Sequence, residues 1–93
     1  LSYQLSPEAA EDLKAAVFYY EDCRSGLGAE FLSQFEAAVA RILEFPEAWP
    51  FLANNKRRYV LNRFPYQVVY GDEKGTLTIF AVMHTRQKPR NWK

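Results

Sequence analysis

The sequence predicts one α+β domain in which a short strand is followed by an antiparallel helical hairpin and a three-stranded antiparallel meander, with the helices on one face of the sheet. Three observations carry this. Apolar residues recur at helical spacing from Pro7 to about Arg24 and again from about Gly28 to Pro46. After residue 56 the period changes to the two-residue alternation of strands. Ninety-three residues with 48% apolar content are enough for one core and too few for two, so the domain spans residues 1–93.

The first strand is residues 1–5, where Leu1, Tyr3 and Leu5 alternate with Ser2 and Gln4. Ser6 is a helix cap, and Pro7 suits the first helical position because its missing N–H has no partner there anyway. Glu8, Glu11 and Asp12 complement the positive end of the helix dipole. Leu13, Ala16, Val17 and Tyr20 make one buried face, and Ser25-Gly26 breaks the pattern. The second helix shows Phe31, Leu32, Phe35, Ala38, Val39, Ile42 and Leu43 on one stripe and ends at Pro46. The short link between the helices forces a hairpin.

Residues 46–55, with Pro46, Pro50 and Asn54-Asn55, read as a loop into the sheet. Strands are expected over 57–63, 66–71 and 76–84, with Pro65 marking one turn and Gly71 to Gly75 the other. Leu77, Ile79, Ala81 and Met83 alternate with Thr78, Phe80 and Val82. Both faces of this last strand are apolar, so it belongs in the interior of the sheet.

The net charge of +1 conceals a division. Residues 1–50 carry nine acids against Lys14, Arg24 and Arg41, a balance of −6, whereas residues 51–93 carry nine bases against Asp72 and Glu73, a balance of +7. Such a field suits an acidic or polyanionic partner for the second half, or mutual attraction of the halves. One cysteine, Cys23, excludes an internal disulfide framework and a multi-thiol metal site, which fits a reducing cytoplasm. No apolar run approaches a membrane span, and no export leader, metal or cofactor is expected. Nucleophile-elbow, phosphate-loop and dinucleotide patterns are absent, and Gly26-Leu27-Gly28 reads as a turn.

Two basic clusters are candidate sites. The first is Lys56, Arg57, Arg58 and Arg63; it either grips a partner or guards a sheet edge against aggregation. The second is the segment from His84 through Arg86, Lys88, Arg90 and Trp92. Cations beside an aromatic can hold phosphate and stack on a base, while Trp92 can equally fold back to pin the tail. His84, the only imidazole, serves either as a general acid or base or as a hydrogen-bonded anchor.

The order of elements and several short motifs resemble the RelE/ParE superfamily of toxins from bacterial toxin–antitoxin pairs. The matching pieces are Leu5-Ser6-Pro7-Glu8-Ala9 with Asp12-Leu13, then Gly26-Leu27-Gly28 before Phe31-Leu32, and Phe45-Pro46-Glu47-Ala48. They continue with Arg63-Phe64-Pro65-Tyr66, Val69-Tyr70, and Ala81-Val82-Met83-His84-Thr85-Arg86 followed by Pro89 and Trp92. No one motif is diagnostic; their order and spacing over nearly the whole chain carry the likeness.

The resemblance implies a cognate antitoxin whose C-terminal segment wraps the toxin as a hetero-oligomer, and one of two activities. RelE-like members cleave messenger RNA on the ribosome, and there Arg58 or Arg63, His84 and Arg86 would take the catalytic parts, with Lys56, Arg57, Lys88, Arg90 and Trp92 binding target or antitoxin. ParE-like members bind DNA gyrase and stall it without chemistry of their own. Long helices, a net charge of only +1 and the lack of a C-terminal tyrosine favour gyrase, whereas His84 favours RNA cleavage. A non-toxic remnant that binds its antitoxin and tunes the operon is the third expectation.

Overall fold

The computed structural model describes residues 2–87. Its elements are β1 (Tyr3–Leu5), α1 (Pro7–Cys23), α2 (Leu27–Glu44), β2 (Phe51–Ala53), β3 (Lys56–Val60), β4 (Tyr66–Glu73) and β5 (Thr76–His84). The five strands form one sheet in the order β1-β5-β4-β3-β2. β1 runs parallel to β5 and every other pair is antiparallel. The last strand is interior, as its two apolar faces require.

Each helix start has a local cause. Ser6 Oγ accepts a hydrogen bond from Ala9 N at 3.0 Å, and Pro7 follows it. At the start of α2, Gly26 sits at φ 89° and offers no side chain. The Glu21 carboxylate from the end of α1 substitutes for a cap, accepting from Gly26 N at 3.0 Å and Gly28 N at 3.1 Å. Gly28 is also where the helices touch, since a Cβ there would lie 2.7 Å from Val17 O. From that crossing α2 buries Phe31, Phe35, Ala38, Val39 and Ile42 against Val68, Tyr70, Ile79 and Val82 of the sheet. Leu32, placed on the buried stripe by its spacing, is instead 37% exposed at the stripe's edge.

The sheet departs from expectation in three places. Residues 51–53 are a strand rather than loop: Phe51 pairs with Arg57 and Ala53 with Lys56 around a tight turn, in which Asn55 takes φ 57°. The next strand ends at Val60 rather than Arg63, because the chain turns at once and Leu61 N donates to Tyr66 O at 2.9 Å. Third, Val69 pairs with Ala81 but Tyr70 pairs with Ile79, leaving Phe80 as the extra residue of a bulge. The bulge inverts the alternation of β5. Leu77, Ile79 and Val82 pack toward the helices, while Ala81 and Met83 join Val69 and Leu52 in a smaller cluster on the far face.

β1 pairs with β5 only as far as Ile79. Beyond that point α1 completes the edge. Ser6 N donates to Ile79 O at 2.9 Å, Ser6 Oγ donates to Phe80 O at 3.3 Å, and Val82 N donates to Asp12 Oδ2 at 3.1 Å. The Ser6 and Asp12 positions thus tie the first helix to the one strand that carries His84 at its end.

Candidate functional site

Two clefts open on the helix-facing side of the sheet, at opposite ends of the strands. The smaller, about 340 Å³, lies where the link between the helices meets the ends of β4 and β5, and Tyr19, Tyr20, Cys23, Leu27, Pro65, Tyr66 and His84 line it. Register brings its strand residues together, because Tyr66 and His84 are directly paired. Their rings are nearly perpendicular at 5.5 Å between centroids. Arg86 N donates to His84 Nδ1 at 3.1 Å, so the proton of the neutral imidazole sits on Nε2. Burial raises the phenol pKa of both Tyr20 and Tyr66, with smaller contributions from their neighbours.

The larger cleft, about 700 Å³, lies under the end of α2 and is lined by Leu43, Pro46, Phe51, Arg57, Tyr70, Asp72 and Leu77 among others. Tyr70 OH donates to Pro46 O at 2.8 Å, and burial pushes its pKa up to about 12 against the opposing pull of Arg57. Arg57 is a clamp. Its Nη1 donates to Trp49 O at 2.7 Å and to Glu47 O at 3.3 Å, and its guanidinium lies 3.8 Å from the centre of the Phe51 ring. The indole N–H of Trp49 is buried without a hydrogen-bond partner among the described residues, and the indole packs edge-to-face with the Tyr59 ring at 4.6 Å between centroids.

The other bases are spread over both faces. Lys56 Nζ lies 4.5 Å from the Phe80 ring centre, and Arg58 Nη1 contacts Gln67 Oε1 at 3.5 Å on the face without helices. Arg63 pairs with Glu30 at 2.9 Å, and Arg24 approaches the same carboxylate at 3.5 Å. Among the described residues no group of His, Cys, Asp and Glu is placed to hold a metal ion, and no helix is long and apolar enough to cross a membrane.

A family model described as the ParE toxin of the type II toxin–antitoxin system parDE matches residues 3–89. The chain belongs to the ParE toxin family. Its fold is that of a solved structure titled the chromosomal ParDE TA system from P. aeruginosa, with a TM-score of 0.67 at 17% identity, covering 90% of this chain and 95% of that one. No curated protein matches the sequence significantly.

In this ParE-family chain the residues singled out from sequence do not form one constellation. Arg58 and His84 lie on opposite faces of the sheet, since Arg58 pairs with Val69 of the far cluster and His84 with Tyr66 of the helix side. Arg57 is spent on the loop before β2, and Arg63 on Glu30. Arg86 is exposed just past His84, while Lys88, Arg90 and Trp92 lie outside the described residues. The three tyrosines around His84 escaped the sequence reading. Their signal was the Tyr19-Tyr20 pair, in which only Tyr20 falls on the buried stripe.

Proposed function

We propose that this ParE-family chain is the toxin of a type II pair, that a cognate antitoxin neutralises it in the cytoplasm, and that it arrests growth by stalling DNA gyrase. The observation that carries the gyrase reading is the division of the basic residues by the sheet. RNA cleavage needs an acid, a base and a cation around one phosphate. Here Arg58 and His84 face opposite ways and Arg63 is held by Glu30. Stalling a topoisomerase asks only for a surface. The antitoxin reading is supported by the face of β3 without helices, where Val60 is exposed on the same side as Lys56 and Arg58, a match for an extended segment carrying apolar and acidic side chains.

The RelE-like alternative has one observation in its favour: His84 stands in a cleft with three phenols and has Arg86 beside it. Purified chain added to gyrase and relaxed plasmid separates the two readings. Supercoiling should stop, and should stop equally with His84→Ala; ribosome-dependent cutting of messenger RNA that His84→Ala abolishes would replace gyrase with RNA as the target. Unchanged growth on expression of the chain alone would defeat both toxin mechanisms and leave the antitoxin-binding remnant.

A further inference from the structure

We infer that His84 is a positioning residue whose neutral imidazole holds the turn by which the chain leaves β5, and that protonation of the ring releases this turn. Three hydrogen bonds shape the exit. Thr85 N donates to Pro65 O at 2.9 Å, Gln87 N donates to His84 O at 3.0 Å, and Arg86 N donates to His84 Nδ1 at 3.1 Å. The first two end on backbone carbonyls, which do not titrate. The third ends on an imidazole, the side chain that changes charge near neutral pH. A protonated imidazole donates from both nitrogens, so Nδ1–H would face the Arg86 N–H donor against donor, and the ring has to turn away from the amide. In sequence Lys88, Arg90 and Lys93 follow directly, so the charge on one ring governs the bend ahead of three bases.

The surroundings leave the imidazolium without a carboxylate to hold it in place. His84 is half-buried and meets the Tyr66 ring of β4 edge-to-face at 5.5 Å between centroids. The titratable groups that α1 contributes to the cleft are Tyr19, Tyr20 and Cys23, and Leu27 is the lining residue from α2. Asp12 of α1 bears on the Tyr66 phenol, but its carboxylate already accepts from Val82 N at 3.1 Å. Glu30 of α2 is paired with Arg63 and Arg24. Among the described residues no Asp or Glu lines the cleft, and the nearest charge along the chain is the like charge of Arg86. The same bond limits the chemistry open to His84. With Nδ1 engaged and the proton on Nε2, the neutral ring can donate into the cleft but has no lone pair left with which to act as a base there.

The inference holds whichever target the chain has, because the turn is read directly. Solvent exchange of backbone amides is measured by NMR on the full chain across roughly pH 5 to 8, each rate being taken relative to an unstructured amide at the same pH. The Arg86 amide should lose about fivefold in protection on acidification, along the same curve as the His84 ring protons. The Thr85 amide, bonded to Pro65 O, should hold its protection and reports that the fold is intact. His84→Asn places a non-titrating oxygen acceptor where Nδ1 now stands, so the Arg86 amide should stay protected throughout. His84→Ala should leave that amide unprotected throughout. Protection of Arg86 that does not change with pH in the unaltered chain, that survives in His84→Ala, or that falls with pH in His84→Asn would each overturn the proposal. Parallel loss at Thr85 and Arg86 would overturn it too, by assigning the change to general unfolding.

Discussion

Tyr70 shows how one side chain can hold the two layers of this molecule together. Its ring lies in the core and its hydroxyl donates to Pro46 O, the point at which the chain leaves α2 for the sheet. Removing the hydroxyl by Tyr70→Phe should cost about 1 kcal/mol at neutral pH, read from urea unfolding. Its ionisation gives a second, independent readout. The unfolded chain loses this proton near pH 10.0, whereas the folded chain keeps it to about 12. The resulting stabilisation is fully present below pH 10 and disappears as pH rises toward 12. At 1.36 kcal/mol per pKa unit the difference is about 3 kcal/mol. Stability measured from pH 9 to 12 should therefore fall, and fall less steeply in Tyr70→Phe. The shallower slope that remains belongs to Tyr20 and Tyr66, whose pKa values burial also raises.

At the scale of elements, the helical hairpin depends on a contact too close for any side chain. Gly28→Ala would set a methyl 2.7 Å from Val17 O and 3.1 Å from Glu21 Cβ, so the helices must part or Glu21 must give up its bonds to the start of α2. A loss of about 1–3 kcal/mol in unfolding free energy is expected, with the same sheet retained by circular dichroism. Both helices were legible from sequence because Ser6-Pro7, Gly26 and Pro46 punctuate a period that residues such as Phe31, Phe35 and Ile42 keep throughout. β2 was not, since three residues between a proline and an asparagine pair carry no period of their own and acquire strand geometry only by pairing with β3. The small cleft was equally hidden. It joins Tyr19 to His84 across most of the chain, and no spacing rule reaches that far. Arg57 was visible as a base but not as a clamp, because its partners are backbone carbonyls, which sequence does not distinguish.

For the whole molecule, the division of charge survives folding as two regions of opposite sign. α1 is acidic, while β3 presents Lys56 and Arg58 with Val60 beside them on the face without helices. If an acidic antitoxin segment meets that face, Arg58→Glu should slow its association by tenfold or more at low salt and by much less at high salt, with a smaller change in dissociation; surface plasmon resonance over a salt series measures both. Among the described residues the Arg58 side chain makes one hydrogen bond, a 3.5 Å contact with Gln67, so this exchange leaves the fold standing. Arg57→Glu would not be a fair comparison, since it also releases the loop from Glu47 to Trp49.

The bulge at Phe80 has a genetic corollary. Val69–Ala81 and Tyr70–Ile79 are already consecutive pairs of a regular ladder, so loss of the single codon for Phe80 would close the bulge and leave Leu77, Ile79, Val82 and His84 on their present face, at the cost of the Ser6 Oγ bond to Phe80 O. β4 carries no such spare residue: loss of the codon for Val68 would turn either Tyr66 or Tyr70 away from the helices. An in-frame deletion at residue 80 should therefore be better tolerated than one at residue 68, as unfolding free energies of the two variants would show.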